Sequence, residues 1–108
     1  MKIDQLIKIL KAKIVNVPSS LENELEGGYC GDFLSFVMSR APASCVWFTV
    51  MTNLNVAAVA SLASVGCVVI CEGSKCDEHL IDKSKEKDIC IIETDLTVFD
   101  AVKAYLGK

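Results

Sequence analysis

The sequence predicts an α/β domain: a mainly parallel sheet flanked by helices on both faces, in a single three-layered unit spanning residues 1–108. Three observations predict it. The apolar runs Val46-Trp47-Phe48, Val68-Val69-Ile70 and Cys90-Ile91-Ile92 begin 22 residues apart, room for one crossover helix between parallel strands. Each run is continuously apolar, the pattern of strands buried on both faces. Each is followed by small polar residues, Thr52-Asn53-Leu54-Asn55, Glu72-Gly73-Ser74 and Glu93-Thr94-Asp95, which suit turns into helix N-termini.

The elements follow in order. Ile3, Leu6, Ile7 and Leu10 form one stripe of an amphipathic helix over residues 3–11, with Asp4 early and Lys11 late to suit its dipole. A strand over 13–17 ends at the turn Pro18-Ser19-Ser20, and a second is expected over Leu21 to Glu26 before Gly27-Gly28 breaks the chain. Asp32 is placed as N-cap or first-turn residue of a helix carrying Phe33, Leu34, Phe36, Val37 and Met38, which stops ahead of Pro42. The core strands cover 45–51, 67–71 and 89–92. Asn53 or Asn55 caps the helix after the first, whose surface is nearly all Ala and Ser, and Gly66 ends it. A polar helix over 77–87 is anchored by Leu80 and Ile81. Thr94 or Asp95 caps the last helix, which carries Val98, Val102, Tyr105 and Leu106 at helical spacing.

Composition narrows the function classes. A length of 108 residues suits one core, and the apolar fraction of 52% also suits an oligomer. A net charge of −3 without a basic block argues against nucleic-acid or anionic-membrane partners. No run approaches the roughly 20 apolar residues that span a bilayer. The N-terminus carries an early acid and no small-residue cleavage motif, so the chain reads as cytoplasmic.

The six cysteines, 30, 45, 67, 71, 76 and 90, include no Cys-x-x-Cys pair. Cys45, Cys67 and Cys90 fall in or beside strands and read as buried reduced thiols. Cys67-x3-Cys71-x4-Cys76 is the one run resembling a ligand cluster, with Cys67 and Cys71 on one strand face; its spacing is long for zinc. His79, the only histidine, sits in the most polar helix and reads as solvated. No nucleophile elbow, phosphate loop or dinucleotide fingerprint occurs. Glu93 and Asp95 form at most a weak carboxylate pair, so neither catalysis nor a cofactor is expected.

A family resemblance adds to this reading. Asp88 to Phe99, an apolar strand running into a threonine-rich turn and a phenylalanine-bearing helix, resembles the C-terminal signature of the DRTGG domain family. Val68-Val69-Ile70-Cys71-Glu72-Gly73 is similar to the family strand ending in Thr-Gly-Gly. Thr52-Asn53-Leu54-Asn55 falls where the family often has Asp-Arg, and Gly27 to Leu34 resembles its small stand-alone members. Asn53-Leu54 stands in place of Asp-Arg, and Cys71-Glu72 in place of Thr-Gly. The resemblance implies a fold like the N-terminal domain of HPr kinase/phosphorylase without its kinase domain. It also implies a regulatory or ligand-sensing role beside a catalytic or signalling protein, and homodimerisation.

Together these readings predict a non-catalytic domain that binds a small anionic or nucleotide-like ligand at the carboxyl ends of the strands. The candidate residues are Gly27, Gly28, Asp32, Thr52, Asn53, Asn55, Glu72, Gly73, Thr94 and Asp95. The same regulatory reading allows a protein partner docked on the Ala/Ser-rich helix; the alternatives are a ligand-free homodimerisation or scaffold module and a cysteine-based metal or redox protein.

Overall fold

A computed structural model describes residues 1–107. The apolar stripe of the N-terminus forms helix α1 (Ile3–Leu10), with Ile3, Leu6 and Leu10 buried. It leads to strand β1 (Lys13–Asn16) and, after a long connection, β2 (Gly28–Cys30). Three strand–helix units follow: α2 (Leu34–Arg40) then β3 (Val46–Thr49), α3 (Asn55–Leu62) then β4 (Cys67–Ile70), and α4 (Glu78–Glu86) then β5 (Ile91–Glu93). Helix α5 (Val98–Leu106) closes the chain.

The five strands form one sheet in the order β1-β5-β4-β3-β2. Strands β2 to β5 are parallel, and β1 joins β5 antiparallel with a register shift between Ile14 and Asn16. The three apolar runs thus lie side by side at the centre. Alternate residues face opposite layers. Val46, Phe48, Cys67, Val69, Cys90 and Ile92 pack under α1 and α5. Trp47, Val68, Ile70 and Ile91 pack under α2, α3 and α4. This is the expected three-layered α/β domain. No helix of the described residues is long and apolar enough to cross a membrane.

Several boundaries differ from expectation. Residues 21–26 form no strand. Only Leu25 is buried there, while Glu22 and Glu24 turn out to pair with Lys2 Nζ (2.8 Å) and the N-terminal ammonium (2.7 Å). Gly28 opens a strand rather than breaking the chain. Helix α3 ends at Leu62, before Gly66. Ser64 takes the left-handed conformation (φ 56°), with Ser64 N–H donating to Ser61 O and Val65 N–H to Ala60 O, the Schellman closure usually made by glycine. Gly66 serves close approach instead: a Cβ there would lie 2.7 Å from Ser44 O and from Leu25. The small residues of α3 are also used internally. Val56, Ala57, Val59 and Ala60 are buried between α2, α4 and the sheet, so this helix offers no continuous Ala/Ser docking face.

Candidate functional site

The carboxyl ends of β2 to β5 gather most of the candidate residues along one edge. At this edge the chain leaves β4 for α4 on one face and leaves neighbouring β5 for α5 on the other. Such a divergence is where open α/β sheets bind ligands.

The loops after β4 and β5 are joined across the divergence. Glu72 and Gly73 both have positive φ (64° and 72°); for glutamate this is a strained conformation that its surroundings must hold. Glu72 N–H donates to Leu96 O (2.8 Å), and Gly73 N–H donates to Thr94 O (3.1 Å). Glu72 Oε2 accepts from Val98 N–H at the first turn of α5 (2.8 Å). A carboxylate of the chain's own therefore occupies the anion-favouring end of that helix. Thr94 is buried, and its hydroxyl donates to Leu10 O (2.9 Å), tying α1 to the edge. The cap of α5 is Thr97, which accepts from Asp100 N–H (3.1 Å), and neither Thr94 nor Asp95. Asp95 is exposed beside Gly73.

The β3–α3 loop adjoins this seam, because Thr52 O accepts from Asp77 N–H (3.1 Å) ahead of α4. Asn53 Oδ1 accepts from Asn55 N–H (2.9 Å), an Asx turn that shapes the approach to α3. Leu54 holds the cap position, without a side-chain bond. Asp32 is not the cap of α2, which starts after Phe33. Its carboxylate accepts from Thr49 Oγ1 and from Val50 N–H (3.0 Å), closing the edge between β2 and β3. Gly27 and Gly28 lie at the other end of the sheet, just before and at the start of β2. There Gly27 O accepts from Tyr105 Oη (2.8 Å). The structure thus brings Glu72, Gly73, Thr94 and Asp95 together, sets Thr52, Asn53 and Asn55 beside them, and separates the two glycines from the group.

A polar feature lies outside that candidate set. Glu93 ends β5 and is only 6% exposed. Its Oε2 accepts from Cys76 N–H (2.8 Å), while Oε1 lies 3.8 Å from Lys75 Nζ, too far for a hydrogen bond. Lys13 sits opposite Glu93 in the β1–β5 ladder. These residues line a cavity of about 350 Å³, walled by Ile14, Val15 and Ile81. The sequence signal for it was an acid ending an otherwise apolar strand. The lysines were beyond reach because their place depends on the antiparallel return of β1.

Four of the six cysteines behave as core residues, while Cys30 is exposed and Cys76 half-buried. Cys45, Cys67, Cys71 and Cys90 are buried. Cys67 and Cys90 face each other with Sγ atoms 3.2 Å apart, and this contact, with burial, raises the Cys67 thiol well above its ordinary range. Burial, then the charge of Glu72, pushes Cys71 up to about 12; burial, then Glu93, does the same to Cys76. Thiols held neutral in this way are poor nucleophiles and metal ligands. Cys67 and Cys71 share a face as expected, but Cys76 packs on the opposite side of the sheet. Among the described residues no group of three His, Cys, Asp or Glu side chains is placed to hold a metal ion. His79 is exposed.

An apolar groove of about 740 Å³ runs along α5 beside the edge strand β2, lined by Cys30, Val98, Phe99, Val102, Lys103 and Leu106. Phe99 is 77% and Leu106 61% exposed.

No protein-family model matches the sequence, and neither does any curated protein. Among solved structures, the fold matches the CBS and DRTGG domains of the regulatory region of Clostridium perfringens pyrophosphatase, solved with its activator diadenosine tetraphosphate. The TM-score is 0.81 at 14% identity, over 94% of this chain and 44% of that one. The chain therefore spans less than half of the structure it resembles, and it shares that region's α/β fold, a CBS/DRTGG-like sheet flanked by helices.

Proposed function

We propose that this chain is a non-catalytic regulatory domain of the DRTGG type. It senses a small anionic or nucleotide-like ligand at the carboxyl edge of its sheet. The observation that carries the reading is the departure of α4 and α5 to opposite faces from neighbouring strands, the place where open α/β sheets bind ligands. The fold neighbour supports it, as a regulatory region solved with a dinucleotide activator. Thermal denaturation with millimolar ATP, ADP and phosphorylated metabolites tests it. A ligand at about 100 times its Kd adds about 2.7 kcal/mol, so the melting temperature is expected to rise by several degrees. A flat melting temperature across the whole set sinks the reading.

The α5 groove favours a second role, homodimerisation, which the first does not exclude. Contiguous exposed apolar patches on soluble domains mark interaction surfaces, and Phe99 is the most exposed large apolar side chain lining this one. Phe99→Asp is expected to turn a dimer into a monomer by light scattering, with stability changed by no more than about 0.5 kcal/mol because the ring is exposed. A wild-type chain that runs as a monomer at high concentration removes this role.

A further inference from the structure

We propose that the cavity between β1, β5 and α4 is the ligand subsite, and that its ligand is a ribonucleoside phosphate. The ribose hydroxyls donate to Glu93 Oε1, and Lys13 and Lys75 hold the phosphates. This rests on the ligand-sensing reading above and moves the site to residues outside the candidate set.

Three features of Glu93 lead there. A carboxylate is rarely buried without partners for its oxygens. Here Oε2 accepts from Cys76 N–H, whereas Oε1 is open to the cavity and has only a distant ammonium and the weakly donating Cys76 thiol beside it. Oε1 also faces an opening: the cavity of about 350 Å³ lies within the roughly 300–1,000 Å³ of small-molecule pockets. Finally, its lining carries two lysines and one carboxylate, and Lys13 makes no ion pair among the described residues.

The residue types select the ligand. Bare polyphosphate would set its charge against Glu93. A second ammonium would be redundant, since Lys75 already supplies the counter-charge. A neutral diol donates to Oε1 in place of water without adding charge, as ribose hydroxyls do to an acidic side chain in dinucleotide-binding folds. Ile14, Val15 and Ile81 offer apolar walls to a sugar or base. The exposed lysines, Lys75 with a side chain 65% exposed, suit phosphates that remain partly in water.

Calorimetric titration of the full chain with ATP, 2′,3′-dideoxy-ATP and inorganic triphosphate tests this. The wild type is expected to bind ATP at least about tenfold more tightly than the dideoxy analogue, the loss of a hydrogen bond to a charged group. Glu93→Gln keeps an acceptor for Cys76 N–H, and it is expected to bring ATP down to the affinity of the analogue. Inorganic triphosphate, which lacks the diol, is expected to bind more weakly than ATP, and Lys75→Met is expected to weaken ATP further by removing a phosphate contact. Equal wild-type affinity for ATP and its dideoxy analogue overturns the ribose assignment, and ATP binding unchanged in both variants overturns the location; either leaves the ligand-sensing reading standing. If none of the three probes binds, this subsite falls, and the reading falls with it only if the wider metabolite set also fails. Should Glu93→Gln fail to fold, the wild-type comparison alone decides.

Discussion

Trp47→Ala is expected to cost about 3–5 kcal/mol, the range for removing a large aromatic from a packed core. Trp47 is fully buried at the centre of β3, within the layer formed by Val37, Val56, Ala57, Val68 and Leu80. Its Nε1–H donates to Gly31 O (2.9 Å), so truncation leaves that carbonyl short of a partner as well as opening a cavity. Domains of this size hold only about 5–15 kcal/mol in total, so a substantial fraction of the variant is expected to be unfolded at 37 °C. Trp47 is the only tryptophan, so the unfolding midpoint in urea is to be followed by far-ultraviolet circular dichroism. A loss below about 1 kcal/mol contradicts the packing described. Gly31 precedes Asp32, so the same bond also steadies the turn that closes the β2–β3 end of the edge.

Alkaline pH is expected to destabilise the domain steeply, and one buried thiol provides the cleanest test. Cys71 is fully buried at the end of β4, and its thiol is pushed from an ordinary 9.0 to about 12, by burial first and then by the Glu72 charge. Below pH 9 the thiol is neutral in the folded and unfolded chain alike, and its contribution is fully present. Between 9 and 12 the unfolded chain ionises while the folded one resists, so stability falls through that window. The loss is about 4 kcal/mol for this group over the whole window, and about 2 kcal/mol of it is reached by pH 10.5. Thermal midpoints at pH 7 and pH 10.5 check it in wild type and Cys71→Ala. The variant starts lower because of its cavity, and it is expected to lose distinctly less on going alkaline. Parallel losses in the two proteins contradict the account. Cys76, raised by the same kind of burial and by Glu93, adds to the wild-type slope.

The central sheet was legible because its signal is local. A run such as Val68-Val69-Ile70 is apolar at every position, which suits only a strand covered on both sides. Even spacing then orders β3, β4 and β5 side by side. The stripe of α1 was legible in the same way, and Leu10 and Leu6 are buried as the periodicity requires. Helix caps were less legible. The stretch from Glu93 to Thr97 offers three side chains able to cap; Thr97 is the one used, and Glu72 reaches Val98 N–H beside it from another loop. The connection over 21–26 misled because alternating Leu and Glu looks like a strand, whereas its acids are held by Lys2 and the N-terminal ammonium.

By itself, then, the sequence determined the α/β class, the central strands and the edge that carries the polar turns. These follow from residue types and spacings acting within a few turns of chain. Tertiary structure alone decided what that edge presents. It filled the N-terminus of α5 with the carboxylate of Glu72, sent Gly27 and Gly28 to the far end of the sheet, and returned β1 antiparallel to β5 so that Lys13 stands opposite a buried Glu93. Each of these contacts joins residues from separate elements, between 26 and 80 positions apart, and a pairing at that range is set by the closing of the sheet rather than by any local preference of the chain.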